Sequence, residues 1–182
     1  MKRLSVSVTG KDRPGIIAAV TEIIYQFHGN LEDASMTVLA GEFAMILLAS
    51  FPPTCALPAL QKRFTELERR KRLSILTQPV HARRRGSRGK TAAVIPYLIS
   101  IFGPDRSGIV YQISRALARH RLNITDLDSK LMSSKRRPIY GLLIETDIPN
   151  RFPIPRLKQE LAQIARRLHV EFTLKPVEPL TL

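Results

Sequence analysis

The chain repeats itself. Thr9-Gly10-Lys11-Asp12-Arg13-Pro14-Gly15-Ile16 returns as Phe102-Gly103-Pro104-Asp105-Arg106-Ser107-Gly108-Ile109, 93 positions later. The register holds through Asn30 and Asp33, which meet Asn123 and Asp126, and then slips by four residues. At a spacing of 97, Pro52, Pro58, Leu60, Arg69, Arg70, Pro79 and Val80 meet Pro149, Pro155, Leu157, Arg166, Arg167, Pro176 and Val177. Two copies of one unit within 182 residues restrict the chain to a tandem pair of small domains, each able to bury one core layer. The expected boundaries are 1–82 and 93–182. The linker over 83–92 contains Gly, Ser and like charges from Arg83 to Lys90, with no apolar residue among them.

Each copy alternates the periods of strand and helix. Leu4, Val6 and Val8 alternate with Arg3, Ser5 and Ser7, which predicts a half-buried strand. Ile16, Ile17, Val20, Ile23, Ile24 and Phe27 recur at three and four, one face of a helix. Gly29 and Asn30 are expected to close it in the left-handed conformation. Two apolar stretches flank the turn Ala40-Gly41-Glu42 and predict a hairpin. Leu57, Leu60, Phe64 and Leu67 mark a second helix with Pro58 in its first turn, and Leu73 and Ile75 a final strand. Copy two repeats this order, with the extra residues in its hairpin at Ser133 to Pro138, where insertions are tolerated. The fold class is therefore α+β, βαββαβ twice. Each copy is a ferredoxin-like antiparallel four-stranded sheet with two helices on one face. The free face and edge invite side-by-side pairing of sheets.

Charge is unevenly placed. Residues 1–60 carry a net −1, residues 61–90 a net +9 and residues 91–182 a net +6. Such a local excess suits a phosphate polymer, an acidic partner or an anionic surface, unless it is a solvated helix face and linker. The candidate contacts are Arg69, Arg70, Lys71 and Arg72 on the second helix, with Arg83, Arg84, Arg85 and Arg88 beyond it. No apolar run reaches the roughly 18 residues of a membrane helix, and the N-terminus enters a strand pattern, so a cytoplasmic protein with no membrane association is expected. The single Cys55 has no disulfide partner and no ligand neighbour at metal spacing. No metal or other cofactor is expected.

The twinned loop is the first candidate site. It joins a strand to a helix through glycines that allow a tight turn. The helix-opening N–H groups at Gly15 and Gly108 suit a carboxylate. Asp12 and Asp105 can accept from an ammonium group, or equally cap the helix. Asn30 and Asn123, each fifteen residues after the second glycine, offer both donor and acceptor and are expected on a strand next to the first one.

These features resemble the ACT domain, a small ligand-sensing module of amino-acid metabolism. Asp12-Arg13-Pro14-Gly15-Ile16 with Gly29-Asn30-Leu31, and Asp105-Arg106-Ser107-Gly108-Ile109 with Leu122-Asn123-Ile124, carry the resemblance across nearly the whole chain. Two such domains without an attached enzyme or DNA-reading domain are similar to the repressor-accessory type of the bacterial glycine cleavage system. The resemblance implies an amino acid bound where ACT domains pair. Its contacts would be Gly10, Asp12, Gly15, Asn30, Gly103, Asp105, Gly108 and Asn123. Several amino-acid-binding members of the family carry a polar side chain where Gly10 and Gly103 stand. A homo-oligomer, in the first instance a dimer, and a regulatory protein partner are also expected.

Other classes fit less well. His28, His81, His120 and His169 share no metal-ligand spacing, and no nucleophile–base or paired-carboxylate pattern indicates an enzyme. The loop lacks the clustered glycines of an acylphosphatase-like cradle. RNA-binding modules of the same element order stack bases on several sheet aromatics, whereas the stretch from Gly41 to Leu47 offers only Phe43, and Tyr140 is similarly alone in copy two. The expected function is a non-enzymatic, amino-acid-responsive regulator acting through a protein partner on transcription or metabolism. The alternatives are backbone-only nucleic-acid binding, weakened by salt, or a structural interaction module without a ligand.

Overall fold

A computed structural model describes residues 1–80, 93–132 and 138–177. The expected linker at 83–92 lies outside the described residues, as do Ser133 to Arg137 of the longer hairpin. The chain divides into two compact units, Met1–Ser87 and Arg88–Leu182.

The first unit runs β1 (Lys2–Lys11), α1 (Ile16–Gln26), β2 (Asn30–Leu39), β3 (Glu42–Phe51), α2 (Leu57–Lys71) and β4 (Leu73–Pro79). Its sheet order is β2-β3-β1-β4, with every neighbour antiparallel. The alternation read from β1 is the packing itself. Leu4, Val6 and Val8 are buried against Phe43, Met45 and Leu47 of β3, with Ile16, Val20 and Ile23 of α1 and Leu60, Phe64 and Leu67 of α2 closing the core. Each such fully buried side chain contributes about 1.5–3 kcal/mol. Cys55 belongs to the same core, in the entry to α2.

The second unit repeats this as β5 (Val94–Pro104), α3 (Ile109–Arg119), β6 (Asn123–Met132), β7 (Ile139–Pro149), α4 (Ile154–Leu168) and β8 (Glu171–Pro176). Its sheet order is β6-β7-β5-β8, again antiparallel throughout. Ile99 and Ile101, Leu142 and Ile144, Ile113 and Leu117, and Leu157, Leu161 and Ile164 form the equivalent core. The expected fold is present twice.

Two local expectations need correction, and one local feature was not foreseen. β2 does not lie next to β1, because β3 stands between them. The left-handed residue after α1 is His28 (φ 54), and after α3 it is Arg121 (φ 56), rather than Gly29 or the asparagines. Gly29 serves another purpose: a Cβ there would lie 2.5 Å from the Phe51 ring and 2.8 Å from Ile24 Cγ2. Finally, the strands after the asparagines are not regular. A bulge interrupts β2 between Leu31 and Asp33, and its counterpart interrupts β6 between Ile124 and Asp126.

The helix ends follow local chemistry. Pro58 and Pro155 sit in the first turns of α2 and α4, where a missing N–H costs nothing. Arg69, Arg70 and Lys71 occupy the last turn of α2, and Arg166 and Arg167 that of α4, where cations favour the helix dipole.

Candidate functional site

Both loops are built alike. Gly15 (φ 85) and Gly108 (φ 92) are the N-cap residues of α1 and α3 and hold the left-handed conformation, which a residue without Cβ adopts at little cost. Neither helix has a side-chain cap or an acidic residue in its first turn. The alternative role of Asp12 and Asp105 as caps is therefore not realised; both carboxylates are exposed. The backbone N–H of Asp12 donates to Gly41 O at 2.9 Å, tying the loop to the β2–β3 turn.

Gly10 and Gly103 answer to packing. A Cβ on Gly10 would meet Leu73 Cδ2 at 2.8 Å, and one on Gly103 would meet Val170 Cγ1 at 2.9 Å. The chain beginning the last strand of each unit passes too close for any side chain at these positions. A polar group there would require Leu73 or Val170 to move.

A shallow depression of ≈ 350 Å³ opens beside the first loop, lined by Asp12 to Ala18 with Met36 of β2 and Phe43 of β3. Ile17 and Met36 are each 46% exposed, large apolar side chains at the margin of a polar loop. The periodicity set Ile17 on the apolar face of the first helix, whereas the structure exposes it at the loop, and Met36 was not singled out. The signal for Met36 was its alternation and that of Val38 with Ser35 and Thr37, which turns apolar groups of an edge strand toward the helix side.

Asn30 and Asn123 are exposed and open β2 and β6. Within a unit they are far from the loop. Asn30 pairs with Ser50, which pairs with Arg3, whereas Gly10 pairs with Phe43, which pairs with Val38. These two rows lie about 24 Å apart at the rise of a strand. The second unit has the same separation, with Asn123, Asp147 and Pro96 in one row and Leu131, Tyr140 and Gly103 in the other. The structure thus brings Gly10, Asp12 and Gly15 together and leaves Asn30 at the opposite end of α1, and likewise for Gly103, Asp105, Gly108 and Asn123.

The two asparagine ends differ. In the first unit the bulge residue Glu32 reaches across the sheet to accept from Arg3 Nε at 2.9 Å and from the same guanidinium's terminal nitrogen. The Arg3 hydrogen bonds outweigh desolvation, and with help from Ser50 they hold the Glu32 carboxyl below its usual range. In the second unit the equivalent position is Thr125, and the buried Thr146 hydroxyl instead donates to Asn123 O at 2.8 Å.

The candidate basic contacts divide. Arg83, Arg84, Arg85 and Arg88 lie outside the described residues. Arg69 and Arg70 are exposed and Lys71 is half-buried at the end of α2, while Arg72 is its left-handed C-cap (φ 46). Arg70 and Lys71 line a depression of ≈ 640 Å³ with Arg13 and Gly15. The basic helix end and the first loop therefore adjoin.

Among the described residues no group of His, Cys, Asp and Glu is placed to hold a metal ion, and no helix is long and apolar enough to cross a membrane.

Comparison with known proteins agrees with this architecture. The family model of the ACT domain matches residues 2–78 and again 96–175. A UPF0237 protein of Methanopyrus kandleri is 46% identical over 48 residues, covering 26% of this chain and 53% of the relative. One from Clostridium acetobutylicum is 37% identical over 71 residues, covering 38% and 78%. The chain spans about half the length of the first of these curated relatives. Two solved structures align along nearly the whole chain. A protein of unknown function from Galdieria sulphuraria has a TM-score of 0.79 at 24% identity, covering 97% of this chain and 99% of the other. A chain proposed to be a glycine cleavage system transcriptional repressor has a TM-score of 0.67 at 18% identity, covering 97% and 98%. At these identities the likeness is one of fold.

Proposed function

The chain belongs to the ACT domain family, and from that premise we propose that it is a non-enzymatic regulator whose units pair with those of a second copy and bind an amino acid at that seam. One observation carries the reading: loop and asparagine lie at opposite ends of each unit, in both copies. No single ligand the size of an amino acid spans ~24 Å of sheet. Two-fold pairing removes the difficulty. β2 and β6 are edge strands, and an edge strand is a template for another strand. When two such edges meet antiparallel, the loop end of one unit faces the asparagine end of the other. The helix N-terminus then meets the ligand carboxylate, Asp12 or Asp105 its ammonium, and the facing asparagine amide either group.

The apolar margin supports the same edge. Leu31, Met36 and Val38 on β2 and Leu127 and Leu131 on β6 are exposed on the helix side, and covering them favours association. A second copy of the chain is the simplest source of the facing edge. The amino acid then acts as a tie between units, and its concentration sets how much of the paired form a regulatory protein partner meets. The structural likeness to a proposed glycine cleavage repressor makes control of transcription or amino-acid metabolism the natural setting.

Calorimetric titration against the twenty amino acids tests this. At least one is expected to bind, and Asn30→Ala or Asn123→Ala to weaken it by roughly 10- to 100-fold, the worth of about 1–3 kcal/mol for a lost hydrogen-bonding partner. No heat from any amino acid at millimolar concentration would end the proposal.

A further inference from the structure

Among the described residues the structure assembles a basic surface that the sequence does not mark. It lies between α3 and α4 of the second unit. Arg119 and Arg167 line two adjoining depressions, of ≈ 430 and ≈ 390 Å³. Arg156 enters from one side, and Arg115 with Tyr111 from the other. Gln112, Gln159 and Gln163 add amides along the walls. Either depression is the size of a small-ligand site.

The charge here is not neutralised internally. Glu160 is the single carboxylate in the lining. It is occupied by Arg119 and by His120 Nε2 at 2.8 Å. Burial works to raise its pKa, but the His120 hydrogen bond and the Arg119 charge prevail and hold it below the usual range. Glu160 therefore fixes Arg119 in place. Arg115, Arg156 and Arg167 have no ion-pair partner among the described residues.

The other copy is a built-in control. At the positions of Arg115, Arg119 and Arg156 the first unit carries Glu22, Gln26 and Ala59, and at Tyr111 it carries Ala18. Its corresponding groove holds Arg63 and Arg70 against Glu22 and Glu66, with Arg63 bridged to Glu66 at 3.2 Å. The fold alone does not demand a basic groove; only the second copy has one.

Tyr111 narrows the ligand. It is 61% exposed, and the Arg115 guanidinium lies 5.9 Å from its ring centroid. An exposed ring flanked by a guanidinium is a stacking surface for a base. Guanidinium forks match phosphate oxygens, and several of them favour a polyphosphate over a single anion. A nucleic-acid strand would need a row of such aromatics, whereas the groove offers one. We propose that the α3–α4 groove of the second unit binds a nucleoside polyphosphate, its phosphates held by Arg115, Arg156, Arg167 and the anchored Arg119, and its base stacked on Tyr111. The residues that line it include none of Gly103, Asp105, Gly108 or Asn123.

The test is titration of the full chain with ATP, pyrophosphate, adenosine and a twelve-nucleotide single strand at low salt. ATP is expected to bind more tightly than pyrophosphate, and adenosine not to bind measurably. Arg115→Ala with Arg167→Ala should weaken ATP at least 10-fold, while Lys62→Ala with Arg63→Ala in the first unit, which removes the same charge, should not. Tyr111→Leu should weaken ATP and leave pyrophosphate unchanged. All substituted residues are exposed, and circular dichroism reports whether each variant remains folded. The proposal is overturned if ATP fails to bind at millimolar concentration. It also fails if both paired variants lose ATP equally, if Tyr111→Leu affects ATP and pyrophosphate alike, or if the single strand outcompetes ATP. The amino acid titration is an independent readout and survives any of these results.

Discussion

Identical residues in the repeated loop are held there by different forces. Gly15 and Gly108 answer to backbone conformation, since both carry a positive φ. Gly10 and Gly103 answer to a neighbouring chain that leaves no room for Cβ. The sequence announces that four glycines matter, but it does not separate these causes, because the second one belongs to residues 63 and 67 positions away, Leu73 and Val170. Ala40 shows the reverse. It occupies the left-handed region (φ 51) beside Gly41 (φ 81) in the β2–β3 turn, where both positions of a two-residue hairpin turn need positive φ. Alanine pays roughly 1–2 kcal/mol for that conformation, and asparagine tolerates it better. Ala40→Asn is expected to stabilise the chain by about 0.5–1 kcal/mol, read as a higher urea midpoint at unchanged slope. A lower midpoint would show that the turn conformation is not limiting.

Elements show how one fold accommodates two cores. In the first unit Gly29 leaves space that Phe51 fills, with the ring 2.5 Å from where a Cβ would stand. In the second unit the equivalent pair is Leu122 and Ile148, both buried. A large side chain has moved from strand to helix exit while the volume stays filled, as close packing requires. Gly29→Leu alone is expected to destabilise by about 1–3 kcal/mol through overpacking, and Phe51→Ile alone by a comparable amount through a cavity. Together they should cost less than the sum, with a coupling of at least about 1 kcal/mol in a denaturant double-mutant cycle. Simple additivity would mean that the two residues do not share the space. Element order and periodicity were legible in the sequence, since Ile16 to Ile24 and Leu4 to Val8 display helix and strand periods directly. The matched bulges after Asn30 and Asn123 were not, because a bulge is defined by what the neighbouring strand does.

At the level of the whole molecule, the central question is which surfaces meet. Edge strands β2 and β6 each carry exposed apolar side chains on the helix side, and the proposed pairing across such an edge would unite loop with asparagine. Met36→Lys is expected to shift the chain toward the monomer in sedimentation velocity, by 10-fold or more in the dimer dissociation constant, because a charge would be carried into the covered margin. The same variant should lose amino acid binding in the first unit even though Met36 offers no group to an ammonium or a carboxylate. If binding persists in a monomeric variant, the site is complete within one unit and the pairing model falls.

The duplication, the βαββαβ order and the two loops are legible in the residues alone, since turn residues and hydrophobic periods are local and each is written twice. Where these pieces lie is settled in three dimensions by the fold. It put β3 between β1 and β2, set each asparagine at the far end of its sheet, and drew Arg115, Arg119, Arg156 and Arg167 from two helices into two adjoining depressions. The physical reason is that strand order and helix packing are settled by contacts between residues distant in the chain. A run of arginines marks where charge is dense along the sequence, and packing determines where it becomes dense in space.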